Sequence, residues 1–93
     1  MIRSFKDEVT AAAFDGRAGK GFPSDILKVV RRKLEMVNAA SILADLRSPP
    51  GNRLEALVGD RKGQHSIRVN DQYRICFIWT DEVPADVELT DYD

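Results

Sequence analysis

Two kinds of hydrophobic spacing divide the chain near residue 50. In the first half, Ile26, Leu27, Val30, Leu34 and Val37 recur at helical intervals, which predicts a helix from about Ser24 to Asn38 with one buried stripe. Ser24 suits its N-cap and Asp25 its first turn. Its other side carries Lys28, Arg31, Arg32 and Lys33, a charge run that is either a solvated face or a binding surface. Upstream, "IRSF" predicts a short strand, and Asp7–Ala18 a helix through Ala11, Ala12 and Ala13, ended by Gly19, Gly21 and Pro23. A further short helix is expected from about Ser41 to Arg47, with Ile42, Leu43 and Leu46 inward. "SPPG", Ser48–Gly51, stops it because proline cannot continue a helix.

From there the chain reads as strands: "NRLEAL" (Asn52–Leu57), "QHSIRV" (Gln64–Val69), "YRICFIW" (Tyr73–Trp79) and "ADVELT" (Ala85–Thr90). The connections "VGDRKG", "NDQ" and "TDEVP" suit hairpin loops. This order predicts one α+β domain over residues 1–93, with two to three N-terminal helices packed on one face of a largely antiparallel four- to five-stranded sheet.

The hairpin "IRVNDQYRICF" poses a chemical question. If the apolar residues of both arms face one core, a three-residue loop Asn70–Gln72 sets Val69 opposite Tyr73 and Arg68 opposite Arg74. Like charges directly opposed on a sheet repel, at a cost of a few tenths to about 1 kcal/mol. An anion is therefore expected beside them. It is either a carboxylate of this chain, Asp91 or Asp93, or an anionic ligand.

Composition narrows the choice only in part. The net charge is −1, yet residues 1–80 hold all 14 basic residues against 9 acidic ones, and the last 13 residues hold 6 acids and no base. A basic body can bind phosphate locally whatever the total, although the acidic tail can equally serve to neutralise its neighbours. A single cysteine, Cys76, excludes an internal disulfide, and with one histidine, His65, little remains for a metal site. Mid-strand and without an activating partner, Cys76 reads as a packed thiol. No apolar run is long enough for a membrane span and "MIRSFKDEV" has no signal-peptide core, so a cytoplasmic protein is expected.

"GDRKGQHSIRVNDQYRICFIW", preceded by "SPPGNRLEAL" and closed by "VELTDYD", resembles the HigB toxins of the RelE/ParE superfamily over essentially the whole chain. The resemblance implies a RelE-like fold and a ribosome-dependent endoribonuclease that cleaves mRNA and needs no metal or cofactor. It also implies a HigA-type helix-turn-helix antitoxin as partner, with operator DNA reached only through that antitoxin. Arg74 would stand at the scissile phosphate, and the terminal Asp91 and Tyr92 would contribute to the active site. Asp93 occupies the next position, where relatives commonly carry histidine, and Val58 stands where they commonly carry lysine before Gly-Asp-Arg. Neither supplies what is replaced, since an exposed aspartate is ionised and valine carries no proton.

Arg68, Arg61, Lys62 and Arg53 are further candidates for RNA or phosphate contact, and Lys28, Arg31, Arg32 and Lys33 for contact with the ribosome. Two other functions stay open on the sequence. One is a catalytically weakened toxin acting mainly as antitoxin-binding partner and operon co-repressor. The other is a ParE-like gyrase inhibitor, which shares the fold, and fold alone does not transfer function.

Overall fold

The computed structural model describes residues 1–91. Two helices, α1 (Glu8–Phe14) and α2 (Leu27–Ala39), precede four strands, β1 (Glu55–Ala56), β2 (His65–Arg68), β3 (Tyr73–Thr80) and β4 (Val83–Asp91). The strands form one antiparallel sheet in the order β1-β2-β3-β4.

α1 starts where Asp7 accepts a hydrogen bond from the Thr10 amide at 2.7 Å. It is shorter than the predicted Asp7–Ala18 helix because Gly16, at φ 85°, turns the chain. The Gly16 and Arg17 amides then bond back to the Ala13 and Ala12 carbonyls at 3.0 and 2.9 Å, closing the helix with its last carbonyls satisfied. Ser24 does not cap α2. It opens a 3₁₀ turn, Ser24–Ile26, that feeds the helix. The expected helix at Ser41–Arg47 is likewise a 3₁₀ turn, Leu43–Arg47, anchored by Asp45, whose carboxylate accepts from the Ser41 and Ile42 amides at 2.9 and 3.2 Å.

The first strand is much shorter than the predicted Asn52–Leu57. Pro50–Asn52 form a 3₁₀ turn and Arg53 adopts a left-handed conformation at φ 47°, so pairing starts only at Glu55. "IRSF" does not become a full strand. It lies parallel along the β4 edge with one bridge, Phe5 to Val87, and backbone hydrogen bonds from Arg3 to Pro84 and from Lys6 to Val87. β3 and β4 meet in a tight turn in which Asp81 and Glu82 both have positive φ, the geometry that matches the twist of a two-residue hairpin.

The core lies between the helices and one face of the sheet. Val30, Leu34 and Val37 of α2 pack with Ile67, Ile75, Phe77 and Val87, all fully buried. Period-2 alternation sends their strand neighbours to the opposite face. Among the described residues no helix is long and apolar enough to cross a membrane.

Lys33 departs from its expected placement on the exposed side of α2. It is 8% exposed, and its ammonium donates to Asn52 Oδ1 at 2.5 Å. Lys33 lies three residues after Val30 and four before Val37, so helical spacing already put it on the buried stripe. The exposed basic row is therefore Lys28, Arg31 and Arg32.

A candidate phosphate-binding face

The sheet face turned away from the helices is built from two rows. The predicted hairpin register holds: Ile67 pairs with Ile75 and Arg68 with Arg74, and the Val69 amide meets the Tyr73 carbonyl at 2.9 Å. The turn is fixed by Asn70, whose Oδ1 accepts from the Gln72 and Tyr73 amides at 2.8 and 2.7 Å. With the register set, one row runs Arg68, Arg74, Thr90 and the next runs Glu55, Ser66, Cys76, Glu88.

Arg68 and Arg74 are half-buried, and the anion beside Arg68 is Asp71 of the hairpin turn, which forms an ion pair with it. Asp71 stands three residues from Arg68 on the same turn; of the two carboxylates expected from the sequence, Asp91 follows Thr90 on the other side of β4 and Asp93 lies outside the described residues. Arg53 and Glu55 join Arg68 and Asp71 around a shallow cavity of about 290 Å³. Arg53 is exposed there, on the left-handed residue that precedes β1.

Arg61 approaches the second row from the 3₁₀ turn Gly59–Arg61. Its Nη1 donates to Gln64 Oε1 at 3.1 Å and its Nη2 to Glu88 Oε1 at 3.3 Å. From the β1–β2 connection the side chain thus reaches Glu88 on β4, at the far end of a row in which Ser66 and Cys76 stand between and are buried. Lys62 is exposed at the end of the same turn.

Glu88 is the centre of a small network. Besides Arg61 it accepts the Thr90 hydroxyl at 2.8 Å and pairs with Lys6 Nζ at 3.1 Å, and its side chain is 12% exposed. Burial acts to raise its pKa, but the hydrogen bonds from Thr90 and Lys6 and the charges of Lys6 and Arg61 outweigh burial and hold it below the ordinary glutamate value. Sequence reasoning passed over Glu88, Thr90 and Lys6. Alternation along "VELT" was the available signal, since it puts Glu88 and Thr90 on one side and Val87 and Leu89 on the core side.

Not every candidate converges on this face. Asp91 is exposed and pairs in register with Tyr73, so alternation puts it on the side of Leu89, and Arg74 has Thr90 as its neighbour on β4. Tyr92 and Asp93 lie outside the described residues. Lys28, Arg31 and Arg32 line a separate groove of about 540 Å³ along α2 with Ser24, Leu27 and Glu35. His65 pairs with Phe77 in register and stacks on its ring at 6.4 Å between centroids, away from the arginine row.

The arrangement can neutralise and orient a phosphodiester. Guanidinium groups stay protonated and present forked donors to phosphate oxygens. A family model for the RelE-like toxin of the type II toxin–antitoxin system HigB matches residues 3–92. Toxin HigB-1 of Vibrio cholerae serotype O1 is 44% identical over 90 residues, which cover 96% of this chain and 95% of that protein. A Haemophilus influenzae protein described as uncharacterized is 49% identical over 55 residues, 59% of this chain and 54% of its own length.

Proposed function

Since this chain belongs to the HigB-like toxins of type II toxin–antitoxin systems, we propose that it is a ribosome-dependent endoribonuclease that cuts mRNA during translation and so arrests growth. Membership implies ribonuclease-type activity and an antitoxin partner. The partner we propose is a HigA-type helix-turn-helix protein, with operator DNA contacted only through it.

The observation that carries the reading is the opposed pair Arg68 and Arg74, in register on the face away from the core, with Arg61 on the same face. Placing two cations side by side costs stability, which Asp71 offsets at Arg68 in the free chain, and a phosphodiester bound between the two guanidiniums can take over that role. In the proposed reaction the RNA's own 2′-hydroxyl attacks the adjacent phosphorus, the bond to the 5′-oxygen breaks, and a cyclic phosphate and a new 5′-hydroxyl result. The protein aligns the attacking oxygen with the leaving one and neutralises charge building on the phosphoryl oxygens.

Arg74 takes the scissile phosphate and Arg68 a second contact, exchanging its Asp71 partner for RNA. Arg61, Lys62 and Arg53 bind the flanking backbone. Asp91 and Tyr92 enter the proposed active site through the family resemblance alone, Asp91 from the strand end where register sets it on the side of Leu89 and Tyr92 by stacking on a base or assisting proton transfer; Asp93 takes the adjoining position, where relatives commonly carry histidine. Lys28, Arg31 and Arg32 are the proposed ribosome contacts.

Primer extension on a defined mRNA held in translating ribosomes tests this, with the original chain, Arg74→Ala and Asp93→His side by side. Cleavage that Arg74→Ala abolishes is the expected result. Intact mRNA with both the original chain and Asp93→His would refute it.

A second reading is favoured by Val58, which stands 83% exposed beside the Gly59–Arg61 turn and offers RNA no charge. On that reading the chain is a weakened toxin whose main work is antitoxin binding and operon co-repression. Cleavage only after Asp93→His, with tight antitoxin binding and no growth arrest by the original chain, is its signature.

A further inference from the structure

Arg61 and Glu88 are 27 positions apart, and Lys6 a further 55 from Arg61, yet one carboxylate joins them. Glu88 Oε1 receives Thr90 Oγ1 at 2.8 Å and Arg61 Nη2 at 3.3 Å, while Oε2 pairs with Lys6 Nζ at 3.1 Å. A carboxylate is an unexpected group on a face that must attract phosphate, because its charge opposes RNA binding. Here two cations offset it, so the cluster of Lys6, Arg61 and Glu88 still carries one net positive charge.

The field it costs is exchanged for orientation. Arg61 stands on a short turn outside the sheet, two residues after Gly59 at φ 66°, and besides Glu88 its hydrogen-bond partner is Gln64 from the same loop. A long, rotamer-rich side chain on such a turn loses entropy when it is fixed, and that loss weakens any contact that must fix it. The Glu88 carboxylate fixes it in advance. A guanidinium carries five N–H donors and the bonds to Gln64 and Glu88 use two of them.

We propose that Glu88 is a positioning residue, holding Arg61 across the Ser66 and Cys76 row so that its remaining N–H groups meet the RNA backbone beside the phosphate engaged by Arg74. The proposal deepens the ribonuclease reading and rests on it for the identity of the ligand. Thr90 takes part from the neighbouring row: it is the cross-strand partner of Arg74 and its hydroxyl binds Glu88, which links the two rows of the face.

The test compares the full chain with Arg61→Ala, Glu88→Ala, Glu88→Gln and the double variants. Affinity for a single-stranded RNA oligonucleotide is measured against salt concentration, and cleavage rate on programmed ribosomes against toxin concentration. Arg61→Ala should flatten the salt dependence by about one phosphate contact, about 0.7 in the logarithmic slope. Glu88→Ala should flatten it equally and cut cleavage about tenfold, with no further loss in Arg61→Ala/Glu88→Ala. Glu88→Gln keeps an oxygen acceptor without the charge, so it should fall between the original chain and Arg61→Ala, and should add nothing to Arg61→Ala. If Glu88→Ala fails to fold, the Glu88→Gln series decides between the outcomes.

Tighter RNA binding by either Glu88 variant would overturn the proposal, because Glu88 would then be a competitor for Arg61. Additive losses would overturn it too. The two readings fail separately: mRNA left intact by the original chain, with the shared slope loss preserved, removes the nuclease and keeps the positioning role. Cleavage that is indifferent to Glu88 removes the positioning role and keeps the nuclease.

Discussion

Replacing Asn52 by alanine should be among the most damaging single changes in this chain. Asn52 is fully buried, and its amide nitrogen donates to the Leu46 carbonyl at 3.2 Å and the Ser48 carbonyl at 3.3 Å. Its Oδ1 accepts the Lys33 ammonium at 2.5 Å, which ties α2 to the chain that leads into β1. Truncation removes two neutral bonds, about 1 kcal/mol each, and one to a charged donor, about 1.5–3 kcal/mol, for about 3.5–5 kcal/mol in all. A chain of 93 residues is expected to have about 5–14 kcal/mol to lose. With about 4–8 °C of melting temperature per kcal/mol for a domain of this size, the variant should melt at least about 14 °C lower.

Lys33 makes the prediction sharper, because burial, then the charges of Arg32 and Arg68, lower its pKa from 10.5. The folded state thus holds this proton less tightly than the unfolded chain does. Between the lowered folded value and 10.5 the unfolded chain binds more protons, so stability rises with pH across that window. Without Asn52 the buried ammonium has lost its acceptor, and the deficit of Asn52→Ala should shrink as the solution is made alkaline. Circular-dichroism melts at neutral and alkaline pH, with urea midpoints as a second measure, decide it. In a Lys33→Met background the same truncation should cost about 1.5–3 kcal/mol less. A melting temperature within about 4 °C of the original at neutral pH would refute the reasoning, since one neutral hydrogen bond alone is worth at least that much.

Other expectations follow from the same structure. Leu34→Ala opens a cavity among Val30, Val37 and the sheet, and should cost about 2–5 kcal/mol in urea unfolding, with the spread set by how far the site collapses. Asn70→Ala removes both side-chain bonds to the hairpin turn and should lower stability by about 1–2 kcal/mol while leaving the Arg68 to Arg74 register in place, a combination that amide-exchange NMR would resolve. Glu88 is held below its ordinary value of 4.5, so its stabilising contribution is present above that pH and is lost as the pH falls through the lower folded value. Glu88→Gln should therefore lose part of the acid limb of the stability profile, and an unchanged limb in acid titration followed by fluorescence would count against the network.

Legibility of the chain differed between the middles of its elements and their ends for a physical reason. The hairpin register could be read because side-chain direction in a strand repeats every two residues, so a slip by one would have turned Ile67 or Ile75 out of the core. The α2 stripe could be read because three- and four-residue spacing is as rigid a rule. The ends of α1 and β1 followed local chemistry that periodicity does not report: Gly16 closing a helix by its positive φ, and Asn52 drawing the chain into a 3₁₀ turn. Lys33 shows how residue type can mislead. The charge of a lysine points to the surface, whereas its position in the helical repeat points inward, and the structure follows the position.

From the sequence alone came the α+β order, the faces of the sheet and the opposed arginines Arg68 and Arg74, because each depends on the spacing of neighbours along one strand or helix. Only the tertiary structure decided which distant polar and charged groups meet: Asn52 with Lys33, and Glu88 with Lys6 and Arg61. A carboxylate and a guanidinium 27 residues apart leave no periodic trace of their pairing. Their meeting depends on which loop crosses which strand, and that is fixed by the packing of the whole domain around its core.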